Sequence, residues 1–508
     1  MPTVNEFINT GFESHQCGKF AEAENAYQEA LKLDCENAEA CNLMGVLKLQ
    51  QNDIETAIMW VEKAISIKPC EYFYETLFQA YIRGGFYDKI ISHSSDVITN
   101  YPKSFPLLFN IALAFKNINN NVKAIEFYDR ALKIDPSSYQ GWFNIAHSYS
   151  IEGQYKNAVS ALKICKKLKP HDKETDYFLS VALLQTKDYK HGLKLFENRP
   201  SKETAVALIN KTYPNLASLD RLWKGENIKD KTIFVYYEAG FGDVMMFSRY
   251  LPLLKKKCKK VIFYPQRPLV PLFEASGLGI DEILDGFIPE QNLEFDVHTP
   301  LLSLPYLLGL SGEKVFESPE GYLSFNPELA EEYKEKYFNN DKLKIGIKWR
   351  GNTYFDEDRA IPAKMFAPLL GIEGTKFYSF QTFEGSQDLN KLTCDYDITD
   401  VGKDLVDFGQ TAAAMANLDL VICNDTSLAH LAGALGIPCF VILPYEVNWR
   451  WHDDLSKCDW YNSVKLFRQT ESGNWNGIFE EVESVVKYAK HNQSNWAAAQ
   501  LWKKLRDY

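Results

Sequence analysis

The chain has 508 residues, 46% apolar and 24% charged, with a formal net charge of -11, which is material for about three globular domains. The acidic balance argues against a nucleic-acid partner, because phosphate neutralisation needs a basic stripe; the densest basic run, Lys255, Lys256, Lys257, Lys259 and Lys260, reads as a solvated helix end. No apolar run approaches the roughly 18 residues that span a bilayer, and the start Met1-Pro2-Thr3-Val4-Asn5-Glu6 has neither a basic region nor an apolar core. The ten cysteines include no CxxC pair, and several (Cys41, Cys165, Cys423, Cys439) sit in apolar segments. A cytoplasmic protein with reduced, mostly buried thiols and no transmembrane segment is expected.

From residue 1 to 200 small residues recur about every 34 positions. Gly11, Gly45, Ala112 and Ala146 fill one slot; Ala23, Ala57, Ala124 and Ala158 fill a second; Ala30, Ala64, Ala131 and Cys165 a third. Repeats close at Pro69, Pro136 and Pro170. Small side chains let paired helices approach, and proline ends the second helix of each pair. The pattern resembles the tetratricopeptide repeat. A third repeat, Tyr72 to Pro102, has Gln79 and Ile91 at the small slots, and a sixth, His171 to Pro200, has Ser180 and Gly192. Five to six repeats stack into an α-solenoid whose concave face is expected to dock a protein partner; a spacer or dimerisation arm is the competing use.

After Pro200 strands alternate with helices. In 201–338, Lys231 to Glu238 reads as a buried strand, Asp243 to Lys257 as a helix, and Val261 to Tyr264, Phe295 to His298 and Gly321 to Phe325 as further strands. In 339–508 the strands are Leu343 to Trp349, Lys376 to Phe380, Leu418 to Cys423 and Cys439 to Leu443. Helices are expected at Glu331 to Lys344 (with linker), Pro362 to Leu370, Phe408 to Asn417, Ser427 to Leu435, Ile478 to Lys490 and Asn495 to Arg506. Two Rossmann-like domains facing a cleft describe the α/β architecture called GT-B.

Two strand-to-helix turns stand out, because such turns of an open α/β sheet bind phosphates and sugars. In Gly240-Phe241-Gly242-Asp243 the glycines allow a tight turn close to a ligand, and Asp243 faces whatever binds; a helix-capping carboxylate is the structural alternative. In Asn424-Asp425-Thr426-Ser427-Leu428-Ala429-His430, Thr426 and His430 share one face near a helix start, where side-chain donors and free amides could hold a diphosphate without a metal. Lys348-Trp349-Arg350-Gly351-Asn352, at the end of a strand, and Asp358-Arg359-Ala360-Ile361-Pro362 could neutralise a leaving diphosphate or form surface ion pairs. Trp449-Arg450-Trp451 and Leu466-Phe467-Arg468-Gln469 could stack on a base or sugar or pack internally. Asp356-Glu357-Asp358 and Asp395-Tyr396-Asp397 match a DxD metal pattern that arises easily by chance in a charged chain, so no metal is expected.

Five words in order, EAGFGDVMMFSRYLPLL (238–254), TPLLSLPYLLG (299–309), IGIKWRGN (345–352), NDTSLAHLAGALGIP (424–438) and WRWHDDLSKCDWYNSVKLFRQ (449–469), resemble bacterial proteins that fuse tetratricopeptide repeats to a glycosyltransferase family 9, heptosyltransferase-like domain. The resemblance implies a metal-independent, inverting transfer of a sugar from a nucleotide-diphosphate donor to a hydroxyl acceptor, protein or glycan, with no cofactor. It implies Asp243 as general base, Asp425, Thr426, Ser427 and His430 as donor-binding residues, and Lys348 as the nearest match to a phosphate-binding lysine. Asn448 departs from the aspartate usual before Trp-Arg-Trp in the repeat-fused relatives, which puts a charge-dependent role there in doubt. The layout also resembles protein O-linked N-acetylglucosamine transferase, though the local words fit family 9 better. A non-catalytic scaffold with a degenerate or sugar-nucleotide-sensing domain is the main alternative. An NAD-linked oxidoreductase is a weak third, since Gly240-x-Gly242 lacks the third glycine of the dinucleotide fingerprint.

Overall fold

The computed structural model describes residues 2–351, 359–382, 385–452 and 456–491. The chain divides into two compact units, Met1–Thr175 and Asp176–Tyr508.

The first unit is a tetratricopeptide-repeat solenoid of successive helix pairs: Val4–Gln16 with Phe20–Leu33, Ala38–Gln50 with Ile54–Ile67, Glu71–Gly84 with Tyr87–Asn100, Phe105–Asn117 with Asn121–Ile134, and Tyr139–Ile151 with Tyr155–Leu168. Side-chain caps start many of them, with Thr3, Asn37, Asp53, Ser104, Asn120 and Ser138 each accepting a first-turn amide. The small slots are the points of closest approach. Ala23, Ala57, Ala124 and Ala158 are fully buried, and a Cβ on Gly45 would stand 2.3 Å from Val61 Cγ2. The third repeat keeps this design one position away from the expected slots: Gln79 is exposed, while Ala80, one residue later, and Ile90, one residue before Ile91, are fully buried.

The second unit opens within the helix Lys173–Gln185 and includes the helix Tyr189–Phe196. Tyr189, Leu193 and Phe196 join the α/β core there, with Tyr189 edge-on to Phe316 and Phe196 edge-on to Trp449.

Two wholly parallel sheets follow. The first contains β1 (Thr232–Tyr236), β2 (Lys260–Tyr264), β3 (Glu282–Ile283) and β4 (Val297–Pro300), in the order β3-β2-β1-β4. The second contains β5 (Leu343–Lys348), β6 (Thr375–Ser379), β7 (Ile398–Asp400), β8 (Leu420–Asn424), β9 (Cys439–Leu443) and β10 (Val464–Arg468), in the order β10-β9-β8-β5-β6-β7. That is the doubly wound order, whose direction reverses between β5 and β8. Alternate residues of each strand feed different cores. Ile345, Ile422 and Phe440 pack beneath the helix Asn476–His491 with Val482 and Val486. Val421, Cys423 and Val441 share one apolar core with Ile233 and Val235 of the first sheet, so the two halves of this unit are joined by a common interior.

Several expectations need correction. Gly321 to Phe325 is not a strand; Gly321 takes φ +65° and Leu323 N–H donates to Ala434 O at 3.0 Å, so this segment straps over the end of the helix Ser427–Leu435. The helix expected over 243–257 splits into Phe241–Ser248 and Leu251–Lys255, with Pro252 in the first turn of the second. β3, β7 and β10 are strands the sequence reading missed. Helix Asn476–His491 stands where Ile478 to Lys490 was expected, while Asn495 to Arg506 lies outside the described residues. All ten cysteines are free thiols, and no helix among the described residues is long and apolar enough to cross a membrane.

Candidate functional site

The two singled-out turns each lie at a sheet's switch point. The first follows β1, whose neighbours are β2 and β4. After Tyr236 the chain runs through Ala239 at φ +61° to Gly240, which precedes the helix Phe241–Ser248. Asp243 sits in that helix's first turn, and its Oδ2 accepts the Gly240 N–H at 3.2 Å. Its other oxygen is ion-paired with Arg450, and the two side chains are 18% and 13% exposed. Thus Asp243 caps its helix, as the structural alternative held, and also carries a charge partner.

Behind this turn lies a buried ionic cluster. The Arg199 guanidinium donates to Glu238 Oε2 at 2.9 Å, pairs with Glu238 Oε1, and donates to Glu197 Oε1 at 2.9 Å and Ser303 Oγ at 2.9 Å. Glu238 Oε1 also accepts the Leu302 N–H at 3.1 Å. Opposite charges in hydrogen-bonded contact offset the desolvation of Arg199 and Glu238. The cluster ties the approach to the glycine turn to the segment after β4.

The second turn follows β8. Asn424 is fully buried; its Nδ2 donates to Arg359 O at 2.9 Å, and its Oδ1 accepts no hydrogen bond among the described residues. The Asp425 carboxylate accepts from Arg359 Nη1 at 3.1 Å. Thr426 precedes the helix Ser427–Leu435 in extended conformation, but its side chain makes no cap, so the N-cap position supplies no side-chain acceptor to the first amides of that helix. Ser427 is half-buried on the first turn.

His430 joins the two turns. Its ring stacks on Trp451 at 5.0 Å between centroids, and its Nδ1 lies 3.1 Å from the Tyr461 hydroxyl. A Cβ on Gly242 would stand 2.6 Å from His430 Cδ2, so only glycine at 242 permits this approach. Burial pushes the His430 imidazole down to about 4, against the raising effect of Asp425 and Asp243, which leaves it neutral at pH 7. Beneath it, Arg249 is enclosed by the rings of Tyr322, Trp460 and Tyr461, at 4.9, 5.3 and 5.0 Å from their centroids. It donates to Met246 O and Trp460 O.

Lys348 ends β5, beside Cys423 of β8 in the register. It therefore stands at the reversal point of the larger sheet. Its Nζ donates to Phe380 O and Thr382 Oγ1, both at 3.3 Å, and among the described residues it has no carboxylate partner. Burial lowers its ammonium to about 8. Arg350 follows, its main chain held by both ends of the Gln381 amide, with its buried Nε unpartnered among the described residues.

The structure thus gathers Asp243, Asp425 and His430 around the joined turns, with Asn424, Thr426 and Ser427 on the second turn and Lys348 one strand over. Trp449 and Trp451 are buried, which favours the internal-packing alternative for that word, whereas Arg450 enters the site. Sequence reasoning noticed Arg450 but did not place it against Asp243; a cation between two tryptophans was the signal. Phe467 and Leu466 are β10 core residues. Lys376 engages Asp397 of the Asp395-Tyr396-Asp397 triplet, whereas Asn352, Asp356, Glu357 and Asp358 lie outside the described residues. Among the described residues no group of three His, Cys, Asp or Glu could hold a metal ion.

The model of glycosyltransferase family 9 (heptosyltransferase) matches residues 388–443, and tetratricopeptide-repeat models match 17–69, 105–138 and 127–160. Protein FlbA of Caulobacter vibrioides is 22% identical over 417 residues, covering 76% of this chain and 67% of that protein. Anaphase-promoting complex subunit 6 of Arabidopsis thaliana is 27% identical over 98 residues, 19% of this chain and 18% of that one. Among solved structures, MamA protein is 20% identical and covers 33% of this chain and 92% of that one, with a TM-score of 0.31. Pseudomonas aeruginosa pilF is 15% identical, covers 42% and 92%, and has a TM-score of 0.34. The chain therefore combines a tetratricopeptide-repeat solenoid with a segment of glycosyltransferase family 9 type.

Proposed function

We propose that this chain, a tetratricopeptide-repeat array joined to a family 9 type segment, is a glycosyltransferase of GT-B architecture. It moves a sugar from a nucleotide-diphosphate donor to a hydroxyl acceptor, with inversion and without a metal. One observation carries the reading: a turn bearing the carboxylate Asp243 meets, through Gly242 and His430, a helix start whose N-cap residue, Thr426, makes no side-chain cap. A base and an anion-receiving helix end on opposite sides of one contact are what direct displacement at an anomeric carbon requires.

In this mechanism Asp243 takes the acceptor hydroxyl proton as the oxygen attacks the anomeric carbon. The leaving diphosphate is met by the first-turn amides of the helix Ser427–Leu435, by the Thr426 and Ser427 hydroxyls, and by the ammonium of Lys348 with Arg350 alongside. His430, neutral and wedged on Gly242, acts by shape and hydrogen bonding rather than by charge. Asp425, held by Arg359, fixes the turn. The repeats recruit a protein acceptor or partner, and the protein acts in the cytoplasm.

The test is a thermal-shift screen of nucleoside diphosphates and nucleotide sugars without added metal, followed by product detection with the stabilising donor. A specific stabilisation lost in His430→Ala supports the donor site; no shift at millimolar ligand overturns the transferase reading. A second reading, a sugar-nucleotide-sensing scaffold, is favoured by the Asp243–Arg450 pair, which occupies the proposed base. Donor binding without transfer or hydrolysis to any acceptor is its signature.

A further inference from the structure

We propose that Arg450, paired with Asp243 in this structure, is a donor-contacting residue, so that the carboxylate becomes free to accept a proton only after an anionic donor has drawn the guanidinium away. The inference rests on the transferase reading above and adds an order of events to it.

Each oxygen of Asp243 is engaged: Oδ1 by Arg450 Nη2, Oδ2 by the Gly240 N–H at 3.2 Å. The Gly240 bond belongs to the helix start and stays with it. The Arg450 bond belongs to a loop residue whose other contacts are weak anchors. Nη1 donates to Asn448 Oδ1, a neutral acceptor, at 2.6 Å, and the guanidinium lies over the Trp449 ring at 4.9 Å. Its Nε is buried and has no hydrogen-bond partner among the described residues. Arg450 therefore has one carboxylate among the described residues, a flat ring on which to slide, and an unused donor.

A diphosphate brings more negative charge than one carboxylate and several oxygens matched to the guanidinium fork, so it competes for Arg450 with advantage. His430 cannot offset the charge of Asp243 in place of Arg450, since it is neutral. With Arg450 on the diphosphate, Asp243 Oδ1 is open to the acceptor hydroxyl. The proton passes to Oδ1, the acceptor oxygen bonds to the anomeric carbon, and the carbon–oxygen bond to the diphosphate breaks. Its electron pair remains on the phosphate oxygen that Arg450 then faces. Donor binding thus precedes acceptor activation.

Inorganic pyrophosphate is the probe, titrated calorimetrically at pH 7 into the full chain as wild type, Asp243→Asn, Arg450→Gln and the double variant. Freeing Arg450 in Asp243→Asn should tighten binding by about tenfold, and Arg450→Gln should weaken it by a similar factor. In the Arg450→Gln background, Asp243→Asn should change affinity by less than about twofold, because the competition is gone. Equal tightening in both backgrounds would mean simple removal of a negative charge and overturns the proposal. So does an unchanged affinity in Asp243→Asn. Absence of pyrophosphate binding in all four proteins sinks the transferase reading itself, a different failure from an additive cycle on a binding-competent protein. If Arg450→Gln melts before wild type can be compared, Asn448→Asp supplies the second arm. A carboxylate at Nη1 should weaken pyrophosphate binding when Arg450 is present and leave Arg450→Lys, which lacks the fork, within about twofold.

Discussion

The two strand-to-helix turns share a topology and differ in how their helix starts are satisfied. At Gly240 the helix supplies its own acceptor, since Asp243 Oδ2 binds the Gly240 N–H. At Thr426 the side chain makes no cap on the helix Ser427–Leu435, and the neighbouring strand end offers a lysine with no carboxylate partner among the described residues. The first turn is closed to anions by its own carboxylate; the second is open to them. On the proposed transferase reading, the difference assigns a proton-accepting side and an anion-receiving side to two copies of one fold, without any change of sheet topology.

The comparison breaks most visibly at Asp243. Asp243→Asn should lower transfer by about a thousandfold, the scale of general-base loss, while tightening donor binding. Turnover near that of wild type would remove Asp243 from the mechanism. The contact between the turns is the next place to press. Gly242→Ala puts a methyl 2.6 Å from His430 Cδ2, and should cost about 1–3 kcal/mol of stability in chemical denaturation. Pairing it with His430→Ala should recover part of that loss.

Lys348 sharpens the contrast through pH. Its ammonium, lowered to about 8 by burial, is charged below that value and neutral above it. Pyrophosphate affinity should therefore fall as pH rises through about 8, by up to about tenfold per unit until the bound-state value is reached. Lys348→Met should bind more weakly at pH 7 and show no such fall. A smaller effect comes from the loop that carries Arg450. His452 and Lys187 hold Asp459 at about 2, below the ordinary carboxylate value. A lowered folded value gives stability that is present above the unfolded value near 4 and is lost as pH falls toward 2. Asp459→Asn should flatten that acid limb of the melting curve without changing stability slope above pH 5.

Legibility followed the range of the interactions. Helix Ser427–Leu435 has the bounds its sequence indicates, because the apolar run, the preceding Thr426 and the following Gly436 at φ +75° are local signals. The short edge strands β3, β7 and β10 escaped notice because each depends on a neighbour for its pairing and carries little pattern of its own. The strap at 321–325 looked like a strand since it is apolar, yet its partner is a helix end more than a hundred residues later. Gly240 and Asp243 could be singled out from the turn alone, whereas Arg450 could not be assigned to Asp243, as the two are far apart in sequence.

By itself the sequence determined the repeat period, the parallel α/β character after residue 200, and the positions where strands hand over to helices, all of which rest on local pattern and small-residue spacing. Tertiary structure decided what those positions meet. It set Gly242 against His430, gave Asp243 a guanidinium, left Thr426 without a cap, and buried Tyr189 and Phe196 of the last repeat in the α/β core. Charge pairing and burial depend on distances between remote segments, and those distances exist only once the sheets have wound and packed.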